Sequence, residues 1–215
     1  KVDTAGGPKP KTSAKPAVAA HGQKSAYVSL DETRIDAWFA KLRAASDKPN
    51  AEQERFLRAV VARFTQESRE LHRTKISTTS EPLRMCLMGI PGAGKSRCIH
   101  WLREFFEEVL QWTDGRQFQF LAFMHTMAAN IGGLTIDNWG NIPISATDTD
   151  EKLSSKADDA EVDALFQKAM AMRIIIIDAN STNAVHLRGT LDAYLRRACT
   201  RHPNARRADG TPRPF

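Results

Sequence analysis

Gly89-Ile90-Pro91-Gly92-Ala93-Gly94-Lys95-Ser96 is the stretch on which the fold turns. It fits the eight-residue pattern G-x-x-x-x-G-K-[ST]. Glycine lets a backbone take positive φ and come close to an anion. Successive N–H groups then converge on one concavity. A helix beginning near Lys95 presents the positive end of its dipole to the same place. In such a loop the lysine reaches the outer phosphates of a nucleotide and the hydroxyl of Ser96 ligates Mg²⁺. The bland alternative is an ordinary glycine-rich turn with no ligand. Context decides between them. Upstream, Leu83-Arg84-Met85-Cys86-Leu87-Met88 is a nearly continuous apolar run that predicts a strand buried on both faces, as in a parallel sheet. Downstream, Ile99, Leu102, Phe106 and Val109 mark a long helix ending near Trp112.

A nucleotide loop of this kind needs a second acid, at the end of another strand, for the metal shell. Arg173 precedes Ile174-Ile175-Ile176-Ile177, a clear strand ending at Asp178, 83 residues after Lys95. Open parallel sheets bind ligands at that edge. Asp178 is read there as the magnesium ligand, with a plain turn or cap aspartate as the alternative. Phe118 to Phe123 predicts another strand. Asp158 to Met172 predicts an amphipathic helix, and Leu187, Leu191, Tyr194, Leu195 and Ala198 predict a further one. Gly132-Gly133 opens a stretch expected to be irregular through Pro143. Strands alternating with helices over Leu83 to Cys199 indicate an α/β fold, an open parallel sheet with flanking helices.

A small helical segment, 29–75, precedes this domain. Ser29 to Glu32 reads as a capping box, followed by Ile35, Trp38, Phe39 and Leu42 on one helix face. Pro49 ends that unit and Asn50 caps a second helix, with Phe56, Leu57, Val60, Val61 and Phe64 as its apolar stripe, running to about Leu71. Residues 1–28 form a Lys-, Pro- and Ala-rich arm too poor in large apolar residues to order itself, either a nucleic-acid contact or a solvated linker. The α/β domain is placed at 76–200 and an irregular basic tail at 201–215.

The 215 residues carry 31 basic and 25 acidic side chains, a formal +6. The excess lies at the ends: five lysines against Asp3 up to Lys24, and six arginines against Asp209 from Arg196 onward, leaving a middle of 20 basic and 23 acidic residues. Charge alone therefore does not argue for nucleic-acid binding. Three cysteines, Cys86, Cys98 and Cys199, exclude a disulfide scaffold. No apolar run approaches the roughly 18 residues of a membrane helix.

Four segments resemble the first RecA-like domain of the Pif-type 5′-to-3′ DNA helicases of superfamily one. They are the loop Gly89–Ser96; Ala122 to Trp139, reading AFMHTMAANIGGLTIDNW; Ile174 to Leu195, similar to the family's IIDEISM segment and the helix after it; and Asn50-Ala51-Glu52-Gln53, which looks like the family's adenine-reading N-x-E-Q. The likeness spans Asn50 to Phe215. It implies a P-loop NTPase fold and an ATP-binding site of Gln53, Gly89, Gly92, Ala93, Gly94, Lys95, Ser96 and Arg97. Lys95 and Asp178 would be catalytic, and Ser96 and Asp178 would hold Mg²⁺. It implies a single-stranded DNA path along Asn130, Gly132, Thr135 and Trp139. The full-length parent would unwind DNA in repair, recombination or telomere maintenance, in the nucleus or the mitochondrion. Gln53 has a second reading, the N3 residue of a capping box begun by Asn50. Trp139 has one too, as a core anchor, and Met124, Met127 and Ile131 are expected in the core.

The chain departs from the family pattern in three places. Asp178 is followed by Ala179 where the family has Glu, the residue that positions the attacking water; losing such a base costs on the order of 10²–10⁴ in rate. Asp137 stands where the family has His, and a carboxylate repels a DNA backbone. The chain ends at Phe215, before the family's next motif and its second RecA-like domain, and so reads as a fragment or a truncated copy. The competing readings are the ATP-binding half of a helicase, an ATP- and DNA-binding fragment without turnover, and a small P-loop kinase.

Overall fold

A computed structural model describes residues 30–74, 83–142, 159–178, 185–200 and 211. Helix α1 spans Glu32–Ala44 and α2 Ala51–Thr74. Helix α3, Lys95–Glu104, continues into one turn of π-helix over Phe105–Val109. Strand β1 is Phe118–Ala122, α4 His125–Asn130, β2 Leu134–Thr135 and α5 Ile136–Gly140. Helix α6 is Asp159–Ala169, β3 Ile174–Asp178 and α7 Val185–Cys199.

The strands form one parallel sheet in the order β2-β1-β3. Side chains alternate between the faces of a strand, and this sheet uses both faces. Phe118, Phe120 and Ala122, with Ile174 and Ile176 beside them, pack on one side with α1, α2 and α3. Leu121, with Ile175 and Ile177, packs on the other with α5, α6 and α7. The mixed α/β architecture and the parallel sheet expected from the alternating pattern are therefore present, with helices on both faces.

The first core is aromatic. Phe64 meets Trp112 edge-on at 5.2 Å between ring centroids, and Phe106 stacks on Trp112 at 5.7 Å. The wider π turn brings the consecutive Phe105 and Phe106 inside together, both fully buried. The second core gathers Ile136, Trp139, Leu165, Leu191, Tyr194 and Leu195.

Several local expectations need correction. Leu83–Met88 is not a strand: it has no regular structure, and Met88 is 85 % exposed. An apolar run becomes a strand only where a neighbour's backbone groups pair with it, and among the described residues β3 pairs with β1 alone. The N-cap of α1 is Asp31, whose carboxylate accepts from the Thr33 amide at 2.9 Å; Ser29 lies outside the described residues. The stretch after Gly132-Gly133 is more ordered than expected, holding β2 and α5. Met124 is exposed, whereas Ile131 is buried and Met127 packs against the first core. The arm 1–28 lies outside the described residues, as does the tail apart from Thr211.

Candidate functional site

The 89–96 turn leads into α3, whose N-cap is Gly94. Gly92 and Gly94 both take left-handed backbone, φ 81° and 79°. A Cβ at Gly92 would meet nothing within 4 Å, so that glycine serves backbone conformation and leaves open space above it. The turn is closed by the Ala93 amide donating to the Ile90 carbonyl at 3.2 Å. The Lys95 ammonium folds back and donates to the carbonyl oxygens of Gly89 at 2.8 Å and Ile90 at 2.9 Å. The loop's cation is thus held over the loop's own backbone by two carbonyls it can leave. Ser96 is exposed in the first turn of α3.

Gln53 reaches this turn from 40 residues away. Its side-chain Nε2 donates to the Ala93 carbonyl at 3.2 Å. Its Oε1 accepts from the Asn50 amide at 2.9 Å, while the Asn50 side chain accepts from the Gln53 amide at 2.9 Å. That is the reciprocal capping box expected at the start of α2. A Cβ at Gly94 would lie 2.5 Å from Gln53 Nε2, so the approach of Gln53 requires glycine there. Arg97 turns aside: it pairs with Asp47, in the connection between α1 and α2, and its guanidinium lies 5.2 Å from the Trp101 ring centroid.

Asp178 is the last residue of β3. Registers align it with Ala122 of β1, and Ala122 with Thr135 of β2. Thr135, Ala122 and Asp178 therefore stand abreast at the carboxyl edge. At the usual strand spacing the outer two are about 10 Å apart. Among the described residues no hydrogen bond or ion pair joins Lys95 or Ser96 to Asp178. Ala179 lies outside the described residues.

The residues expected to line a DNA path divide. Asn130 is exposed at the end of α4, Gly132 is exposed, and Thr135 is half-buried. Trp139 is 3 % exposed, packed in the second core, and its carbonyl accepts from Lys168 at 3.1 Å. Its ring lies within the core, the arrangement that the core-anchor reading expects. Arg103 was missed in the sequence: its guanidinium donates to the Ile131 and Gly132 carbonyls, both at 2.9 Å, pairs with Asp114, and lies 4.5 Å from the Phe120 ring centroid. Apart from an i,i+4 ion pair with Glu107 at 3.6 Å its partners lie farther along the chain, at Asp114, in β1 and in the turn after α4. Asp47 has no sequence signal.

Among the described residues no group of three His, Cys, Asp or Glu side chains gathers as a metal cage. Burial raises the Cys98 thiol above its usual range and takes Cys199 to about 11. Among the described residues no helix is long and apolar enough to cross a membrane. Comparison with known proteins gives no match: no family model, curated protein or solved structure proves similar to this chain.

Proposed function

We propose that the chain is the ATP-binding first motor domain, of the P-loop NTPase type, of a Pif-like DNA helicase. The helicase assignment rests on the sequence resemblance; the observation that supports its nucleotide-binding part is the Lys95 ammonium tethered to the Gly89 and Ile90 carbonyls, at the N-terminus of α3, in a turn with two left-handed glycines. Anionic oxygens entering that turn would meet the α3 amides and dipole, and a lysine able to exchange carbonyl partners for charged ones. The Ser96 hydroxyl and the Asp178 carboxylate are hard oxygen donors of the kind Mg²⁺ takes, with phosphate and water completing the shell. Mg²⁺, when bound, would neutralise charge developing on the transferred phosphoryl group. Single-stranded DNA would follow the exposed side of Asn130, Gly132 and Thr135.

Turnover by this chain is expected to be slow. Ala179 offers no base or orienting group for the attacking water. The test is a titration with fluorescent ATP, followed by hydrolysis with and without single-stranded DNA, on the unmodified chain, Lys95→Ala and Ala179→Glu. Micromolar to millimolar binding is expected, weakened at least tenfold by Lys95→Ala because a charged contact of roughly 1.5–3 kcal/mol is lost. Brisk DNA-stimulated hydrolysis by the unmodified chain would overturn the slow-turnover reading. Binding unaffected by Lys95→Ala would sink the phosphate loop.

A further inference from the structure

We propose that Gln53 is a positioning residue that props the 89–96 turn in its open shape, so that its removal weakens phosphate binding whatever base the nucleotide carries. The inference rests on the reading of that turn as a phosphate site.

Four observations carry it. The turn's upstream flank, Leu83–Met88, is not held in the sheet and meets the first core through half-buried Leu87; Ile90 is 78 % exposed. Apart from that Leu87 contact, the turn is fixed downstream by α3 and internally by Lys95 and the Ala93–Ile90 bond. Among the described residues, the side chain from outside the turn that hydrogen-bonds its backbone is Gln53, on the Ala93 carbonyl. Gly94 lets Gln53 come this close, because a Cβ there would lie 2.5 Å from Nε2. Finally, both ends of the amide already have protein partners: Oε1 takes the Asn50 amide and Nε2 gives to Ala93. A base-reading amide needs both ends turned to the base; this one spans from the cap of α2 to the crest of the loop.

Such a strut acts before any ligand arrives. It orients the Ala93 peptide, and with it the following amides at the start of α3. A phosphate site works by having its N–H donors aimed in advance, so that binding does not also order them.

The experiment compares three chains: unmodified, Gln53→Met and Asn50→Ala. Gln53→Met keeps the side-chain length but can neither donate to Ala93 nor accept from Asn50. Asn50→Ala removes the other half of the cap and leaves the strut. Amide hydrogen exchange in the ligand-free protein is read over Gly92 to Arg97. Binding is read with two probes, ATP and inorganic triphosphate, each with Mg²⁺, and with Lys95→Ala as control. Exchange is expected to speed up in Gln53→Met and not in Asn50→Ala. Both probes should weaken by the same factor in Gln53→Met, about 2–10-fold, the worth of one neutral hydrogen bond.

Loss of ATP affinity alone, with triphosphate unchanged, would make Gln53 a base reader and overturn the proposal. An equal loss in Asn50→Ala would reduce Gln53 to a helix cap and overturn it too. If the unmodified chain binds neither probe, or Lys95→Ala binds both as well, the phosphate reading falls and takes this one with it. Unchanged exchange in Gln53→Met would dispose of the strut on its own, leaving the phosphate reading intact.

Discussion

Among the described residues two glycine-rich turns stand out, 89–96 and 132–133, and Gly92 in one and Gly133 in the other serve opposite purposes. At Gly92 the backbone is left-handed, and a Cβ would meet nothing within 4 Å. At Gly133 a Cβ would lie 2.3 Å from the Phe120 carbonyl oxygen and 2.8 Å from its carbon. The first glycine serves shape around open space; the second serves contact, letting the turn after α4 lie against β1. The anchoring differs as well. The 132–133 turn is tied by Arg103 to Ile131 and Gly132 and leads straight into β2. The 89–96 turn follows an irregular, mostly exposed segment with Leu87 packed on the first core, and leans on α3 and Gln53. A crowded, tied turn is built for packing, and an open, lightly tied one can receive something. Both lie within the helicase resemblance, yet of Gly92 and Gly133 only Gly92 borders open space.

The largest expected break in this comparison is Gly133→Ala. The added carbon would displace the β1 backbone, and overpacking of that kind costs about 3 kcal/mol. In a chain of this size that lowers the thermal midpoint by roughly 10 °C. Calorimetry or thermal circular dichroism checks it, and a midpoint within two degrees of the parent would contradict the crowding.

Arg103→Ala comes next. It frees two carbonyls, leaves Asp114 without its guanidinium, and uncovers the Phe120 ring. A loss of about 2 kcal/mol is expected, partly from packing by the side-chain stem. Urea unfolding measures it. A double variant with Gly133→Ala should be less than additive, since both act on one turn.

Gly92→Ala is smaller in stability, about 1 kcal/mol, from placing an L-residue in left-handed backbone with no steric clash. A loss as large as that of Gly133→Ala would erase the distinction between the two turns.

The same contrast explains what could be read from the residues and what could not. Helices α1, α2, α3, α6 and α7 announced themselves by periodicity, because each buries a stripe, and strands β1 and β3 by short apolar runs. The capping box at Asn50 was legible because its rule is local. The reach of Gln53 to Ala93 was not, since it joins residues 40 apart through tertiary packing. Strand β2, two residues long, and α5, five long, are too short to carry a period. Gly132-Gly133 could be seen as a turn, but whether a glycine faces open space or a carbonyl depends on what packs beside it. Trp139 was ambiguous for the same reason until its ring was found inside the second core. Leu83–Met88 has the composition of a buried strand, but composition supplies only the apolar half of one. The other half is a partner's row of N–H and C=O groups.

That segment supplies the smallest expected effect. Cys86 is exposed within it, whereas Cys98 is fully buried on α3. If Leu83–Met88 lies outside the sheet, Cys86→Ser should change stability by less than about 0.5 kcal/mol, as surface substitutions usually do. Cys98→Ser should cost about 1–3 kcal/mol, because it puts a hydroxyl into an apolar site. A thiol reagent should label Cys86 in the folded chain and reach Cys98 only on unfolding. Protection of Cys86 together with a Cys86→Ser cost matching that of Cys98→Ser would put the segment inside the core. The 89–96 turn would then be anchored on both flanks, as the 132–133 turn is, and the need for a prop from Gln53 would weaken accordingly.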